Sequence, residues 1–233
     1  MKKLTLALAV MAAFASGSAH ALLVDGFGDV SQISHNGITQ STTAGTNPQP
    51  VTNPTNTSLV NNNRTFTLSA VTGATALSPS KITSTGSGTL SISNDPGVDS
   101  TATVGYVFNS TDFTASATAI AMAVTFIDTN VSVLMSLATA TGTMTMAAAQ
   151  VFSGVGNFYA PYSLFSVGSG DLTQVIGLTM VFDGPAGWDA QVQLLETTTP
   201  PTGVPEIDAI SGTGALTLMA GALALAGERR RRS

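Results

Sequence analysis

The sequence predicts an all-β protein: an antiparallel β-sandwich followed by a single C-terminal transmembrane sorting helix. Three observations carry that prediction. Short segments rich in Thr and Val alternate apolar and polar residues with a period of two. Turn-forming clusters separate them at short intervals, and no convincing amphipathic helix interrupts the series. A last stretch, 209–227, is apolar enough to span a membrane marginally and runs into four arginines.

The front of the chain predicts export. Lys2 and Lys3 form a positive start, "LTLALAVMAAFA" is an apolar run too short to span a bilayer, and Ala19-His20-Ala21 supplies small residues for cleavage. Residues 1–21 read as a signal peptide, with the mature chain starting near Leu22. The chain has no cysteine, so the exported domain holds together by core packing alone or with a bound ion. Thiol chemistry and cysteine–zinc sites are excluded. Between Leu22 and Gly203 the only bases are Arg64 and Lys81, against ten acidic residues. So acidic a domain does not bind nucleic acid or anionic lipid through bulk electrostatics.

Several strands can be placed by alternation. "RTFTLSAV" sets Phe66, Leu68 and Ala70 on one face, "GTLSISN" sets Leu90 and Ile92, and "ATVGYVF" sets Val104, Tyr106 and Phe108. "TAIAMAVTF" divides Ile120, Met122, Val124 and Phe126 from Ala119, Ala121 and Ala123. "VSVLMSL" and "GTMTMA" come next, with turns at Asp128-Thr129-Asn130 and Gly142. "LTQVIGLTMVF" leads through "DGPAG" into "WDAQVQLLE", which alternates Trp188, Ala190, Val192 and Leu194. Residues 41–63, dense in Asn, Pro and Thr, read as a long surface loop. The sandwich domain is therefore assigned to 22–196 and a stiff Pro/Thr linker to 197–203.

The tail is a marginal span. As a helix, 209–227 would be about 28 Å long, just enough for the hydrocarbon core. It contains four glycines, Gly212, Gly214, Gly221 and Gly227. A central leucine contributes only about -0.6 kcal/mol to insertion, so the sum is barely favourable. Arg229, Arg230, Arg231 and Arg232 place the C-terminus in the cytoplasm and the sandwich outside. Temporary retention suits such a segment better than permanent anchoring.

Val204-Pro205-Glu206-Ile207-Asp208, the Gly/Ala/Leu-rich span and the basic tail 228–233 together resemble the PEP-CTERM sorting signal in its VPEID variant. The resemblance covers 204–233 and rests on all three parts. It implies a membrane-embedded exosortase as processing partner, cleavage near 204–208, transient residence in the inner membrane of a Gram-negative bacterium, and association with exopolysaccharide or biofilm. Pro205 keeps Val204 extended, the form a protease-like cleft accepts. A looser similarity covers "LLVDGFGD", "NNNRTFTLSA" and "LSISNDPGVDSTATVGY", which resemble a recurrent ectodomain of PEP-CTERM proteins. That similarity implies a jelly-roll-like fold and no established activity. Gly26 stands where those domains carry a second Asp, and Asn61 to Asn63 precede Arg64 in place of their Gly-Gly-Glu.

Enzymatic readings fail on inventory. His35 is the only histidine after the signal peptide, so no histidine pair can hold zinc, and no serine sits in a nucleophile elbow. Asp95, Asp99, Asp128 and Asp183 fall at turns, where local hydrogen bonding explains them. The small-site candidate is structural calcium held by Asp25, Asp29 and Asp189, from the adjoining first and last strands; turn formation accounts for the same residues. Tyr106, Tyr159, Tyr162 and Trp188 are candidates for stacking on sugar, with core packing as the alternative. The first functional reading is an exported non-enzymatic surface or matrix protein. The second is a carbohydrate-binding module for the producer's exopolysaccharide. Strands 118–127, 131–138 and 143–149 lack charged residues apart from Asp128, and lack lysine and proline. That predicts self-association through bare strand edges when salt screens the acidic surface.

Overall fold

The computed structural model describes residues 21–35, 51–52, 54, 56–75 and 77–201. Its strands in chain order are β1 (Leu22–Asp25), β2 (Val30–His35), β3 (Val51–Thr52), β4 (Asn63–Thr72), β5 (Ser80–Thr85), β6 (Leu90–Asn94), β7 (Asp99–Thr111) and β8 (Ala119–Ile127). They continue with β9 (Val131–Thr139), β10 (Gly142–Thr145), β11 (Gln150–Phe152), β12 (Gly156–Pro161), β13 (Val167–Gly168), β14 (Val175–Asp183) and β15 (Ala190–Thr198). Two antiparallel sheets form. The first has the order β12-β8-β15-β6-β5-β2 with β1 added to β15; the second runs β13-β10-β9-β14-β7-β4-β3 with β11 added to β9.

Alternation builds the core as the sequence leads one to expect. On β9, Val131, Val133, Met135 and Leu137 are buried, and Ser132, Leu134 and Ser136 lie on the other face. Phe66 and Leu68, Val104 and Tyr106, and Leu178, Met180 and Phe182 complete the inner face of the second sheet. Leu90, Ile92, Ile120, Met122, Val124, Val192 and Leu195 face them from the first. The turn at Asp128-Thr129-Asn130 carries the chain from β8 in the first sheet to β9 in the second. Gly142 opens β10 with φ 158°, and a Cβ there would lie 2.4 Å from the Ser169 carbonyl oxygen.

The strict alternation expected of "WDAQVQLLE" breaks. β15 is irregular between Gln191 and Val192 and again between Val192 and Leu194. An irregularity of that kind shifts the parity of the residues beyond it. Leu195 is consequently buried, while Leu194 is half-buried. Phe126, expected inward, is 44% exposed opposite the same irregularity. β15 also continues through Thr198, two residues into the stretch read as linker. Leu22 pairs with Thr197, so the start and the end of the domain lie side by side.

Two further expectations need correction. Residues 41–63 are not one uniform surface loop: Val51 and Thr52 pair with Arg64 and Asn63, and Pro54, Leu59 and Asn62 are buried. The strands read as bare edges are interior. β8 lies between β12 and β15, β9 between β14 and the β10/β11 pair, and β10 between β9 and β13. Their missing lysines and prolines reflect pairing on both sides rather than readiness to recruit another chain. The proposed span 209–227 lies outside the described residues, among which no helix is long and apolar enough to cross a membrane.

Trp188, the only tryptophan, is fully buried, and its indole N–H donates to the Ser100 carbonyl at 2.9 Å. Its fluorescence is expected to be blue-shifted, shielded from acrylamide, and to move to the red in one step on denaturation. Water-like emission from the folded protein would contradict this packing.

Candidate functional site

The densest polar constellation is buried where "LLVDGFGD" meets "NNNRTFTLSA". Asp25 ends β1, and its Oδ2 accepts from Arg64 Nη1 at 2.6 Å with both side chains fully shielded. Tyr106 Oη on β7 donates to the same oxygen at 3.1 Å, and the Phe27 amide donates to Oδ1 at 2.6 Å. The guanidinium lies 5.1 Å from the Phe66 ring centroid and 5.7 Å from that of Phe27. Phe27 adopts φ 51°, an unusual conformation for a large side chain, and it is held there by its amide bond to Asp25. Asn62 Nδ2 and Thr57 Oγ1 both donate to the Val24 carbonyl, which fixes the strand just before Asp25. Burial, followed by the Asp25 charge, raises the Tyr106 hydroxyl well above the usual phenol range, so it remains a donor.

This geometry rearranges the proposed calcium set. Asp25 spends its carboxylate on Arg64, Tyr106 and Phe27. Asp29 offers its carbonyl to Arg64 and Ser84. Asp189 is far along the sheet: Asp25 pairs with Leu195, six positions beyond Asp189. The structure does not bring the three together, and no group of three or more His, Cys, Asp or Glu side chains arranged for a metal occurs among the described residues. A signal for the true partner is present in the sequence. Arg64 shares the parity of Phe66 and Leu68, and an arginine on an inward face needs a buried acid.

Asp189 has its own neighbourhood. Its Oδ1 accepts the Asn94 amide at 2.7 Å, and its own amide donates to Asp128 Oδ1 at 2.9 Å. Desolvation, then repulsion from Asp128 and Asp95, raises its pKa against the pull of the Asn94 bond.

The aromatic candidates divide. Tyr106 and Trp188 are core residues. Tyr162 is half-buried against the core, donates its hydroxyl to the Phe113 carbonyl at 2.8 Å, and has its pKa pushed up by burial. Tyr159 alone stands on the outer face of the first sheet, half-exposed, with Asn157 Nδ2 donating to its Oη at 3.3 Å. His35 ends β2. Ala21 is exposed just before β1; Ala19, Val204, Pro205, Glu206, Ile207, Asp208 and Arg229 to Arg232 lie outside the described residues.

Residues 204–233 match the VPEID-CTERM protein sorting domain, the PEP-CTERM variant that the motif, span and basic tail resemble. No curated protein matches the chain. Among solved structures, an agarase is similar at 9% identity and TM-score 0.39, over 58% of this chain and 22% of its own. The chain thus spans about a fifth of that enzyme's length. A family 11 carbohydrate-binding module from Clostridium thermocellum, in complex with a β-1,3-1,4-mixed-linked tetrasaccharide, is similar at 8% identity and TM-score 0.39, over 77% of this chain and 96% of its own. A family 29 carbohydrate-binding module from Piromyces equi gives 13% identity and TM-score 0.33, over 55% and 81%.

These contacts set the expected response to substitution at the buried ion pair and at Asp189. Arg64→Met strands a buried carboxylate and is expected to cost about 3–5 kcal/mol, whereas Arg64→Met combined with Asp25→Leu recovers most of that loss. Denaturant titration reports both, and a double variant no better than the single one would contradict the account. For Asp189 the folded pKa is raised, so its ionised form opposes folding at neutral pH, and the cost is relieved as pH falls through that value. Asp189→Asn keeps the Asn94 bond and should stabilise by roughly a few tenths of a kcal/mol after solvent screening. The gain should disappear in acid, below the carboxylate range. A gain that persists there would rule out the electrostatic origin.

Proposed function

We propose that this is an exported, non-enzymatic surface or extracellular-matrix protein whose β-sandwich is delivered by a C-terminal address that an exosortase reads and removes. The match of 204–233 to a sorting domain is the observation that carries the reading. Three features support it further. The signal-peptide pattern and the terminal arginines orient the sandwich outward. The span is only marginally apolar, which suits release. The domain itself is a cysteine-free sandwich whose most elaborate polar constellation is sealed from solvent and serves packing. In this reading Val204 to Asp208 are the recognised motif, Arg229 to Arg232 stop transfer at the inner membrane of a Gram-negative cell, and the released domain joins the exopolysaccharide or biofilm outside.

The mass of the product recovered outside the cell tests the proposal. The mature protein is expected to end within or near 204–208, without Arg229 to Arg232. Intact C-terminal peptides in the released form would contradict it. Replacing Pro205 and Glu206 by alanine should leave the precursor in the inner membrane, and unchanged release would mean that the motif is not read.

A further inference from the structure

Beyond the address, we propose that Asn130 is a glycosylation site, carrying an oligosaccharide on its side-chain amide. The proposal rests on the export reading, since it needs the sandwich to lie outside the cytoplasm. The chain holds four Asn-X-Ser/Thr sequences in which X is not proline: Asn56-Thr57-Ser58, Asn63-Arg64-Thr65, Asn109-Ser110-Thr111 and Asn130-Val131-Ser132. This pattern is the acceptor for N-linked sugar and calls for a surface loop. In a chain so rich in Ser and Thr the pattern recurs by chance, and the fold has to separate its instances. Asn63 lies within the β4 ladder, opposite Thr52 and Val107, and its Nδ2 donates to the Asn61 carbonyl at 3.3 Å. Asn109 lies within β7, where its Oδ1 accepts from Asn61 Nδ2 at 3.3 Å and its carbonyl accepts from Thr111 Oγ1 at 2.8 Å. Asn56 is packed on the backbone of Gly26: its carbonyl accepts the Gly26 amide at 2.8 Å, and its Nδ2 occupies the place that a Cβ on Gly26 would take.

Asn130 differs from these on each count. It is exposed, lies in the turn between β8 and β9, and belongs to neither strand. No hydrogen bond ties its side-chain amide to another described residue. The turn is held by its neighbours instead. Asp128 Oδ1 accepts the Asp189 amide at 2.9 Å, the Asp128 amide donates to the Asp189 carbonyl at 3.4 Å, and Val131 is buried at the head of β9. A sugar on Asn130 Nδ2 therefore displaces no contact of the fold. Transfer joins that nitrogen to the anomeric carbon of an oligosaccharide carried on a polyprenyl diphosphate. The carbon–oxygen bond to the diphosphate breaks, the lipid diphosphate leaves with the electron pair, and one amide proton passes to a base on the transferase. Ala119 pairs with Thr198 and Ile127 with Ala190, so the turn stands at the other end of β8 from the last residues of β15, roughly 26 Å along the strand. An oligosaccharide there extends from the end of the sandwich remote from Thr198.

Peptide mass spectrometry of the protein from its producer tests this, on both the released form and the form held in the inner membrane. The peptide containing Asn130 is expected to carry an oligosaccharide mass increment, and the peptides containing Asn56, Asn63 and Asn109 are expected to be bare. Asn130→Gln should abolish the increment. Ser132→Ala should abolish it too, whereas Ser132→Thr, which restores a hydroxyl at the position the transferase reads, should keep it. Unchanged Trp188 emission in each variant shows that the fold is kept. A sugar-bearing Asn130 on a chain that keeps its arginine tail supports this site and counts against processing alone. A bare Asn130 in both fractions, sugar on another of these asparagines in its place, or an increment that survives Ser132→Ala would each overturn the proposal, even on a chain cut near 204–208.

Discussion

The ion pair between Asp25 and Arg64 joins the two sheets. Asp25 belongs to β1 in the first sheet; Arg64 and Tyr106 belong to β4 and β7 in the second. A lone charge at this depth would be prohibitively costly, so each group requires the other, and the chain can bury either only by closing one sheet onto the other. The pair is not fully compensated: Arg64 Nε is buried with no hydrogen-bond partner. Its value lies in register. Phe27 is placed by Asp25, Arg64 lies against the Phe27 and Phe66 rings, and the first residues of the domain become part of its core.

A second polar connection crosses the sandwich elsewhere and is neutral. Ser80 donates to Ser100, Ser100 to Asn94 Oδ1 at 2.6 Å, Asn94 to the Trp188 carbonyl at 2.7 Å, and the indole back to the Ser100 carbonyl. Ser80 and Asn94 lie in the first sheet and Ser100 in the second. Two directional links of this kind give a cysteine-free exported domain the sheet-to-sheet specificity that a disulfide supplies in other sandwiches. Apolar packing supplies the bulk of the driving force, and the polar links fix which residues face each other.

The fold class is legible in the sequence because alternation in β4, β7, β8, β9 and β14 is regular and the turns between them are chemically explicit. β5 and β12 are not legible. "SKITST" offers one strongly apolar residue, and "GNFYAP" is bounded by glycine and proline, so neither produces a period-two signal over enough residues. The parity change within β15 leaves no local mark, since an irregular pairing depends on the partner strand. Asp25 is visible, but the sequence around it suggests the wrong role. An acid beside Gly-Phe-Gly-Asp suggests a metal cation, and the cation is a guanidinium 39 residues away in the chain.

A sandwich clamped in this way can leave its outer faces free for other uses, since neither link depends on a solvent-facing side chain. It also places Leu22 beside Thr197, so the first and last strands of the domain lie side by side. The central claim, that the first strand is locked into the same cooperative unit as the core, is tested most directly by native-state hydrogen exchange at the Phe27 amide. Exchange only through global unfolding, at the rate of core amides in β7 and β9, is the predicted result. Rapid exchange at Phe27 while β7 and β9 stay protected would show that β1 frays independently and that the buried pair does not close the fold.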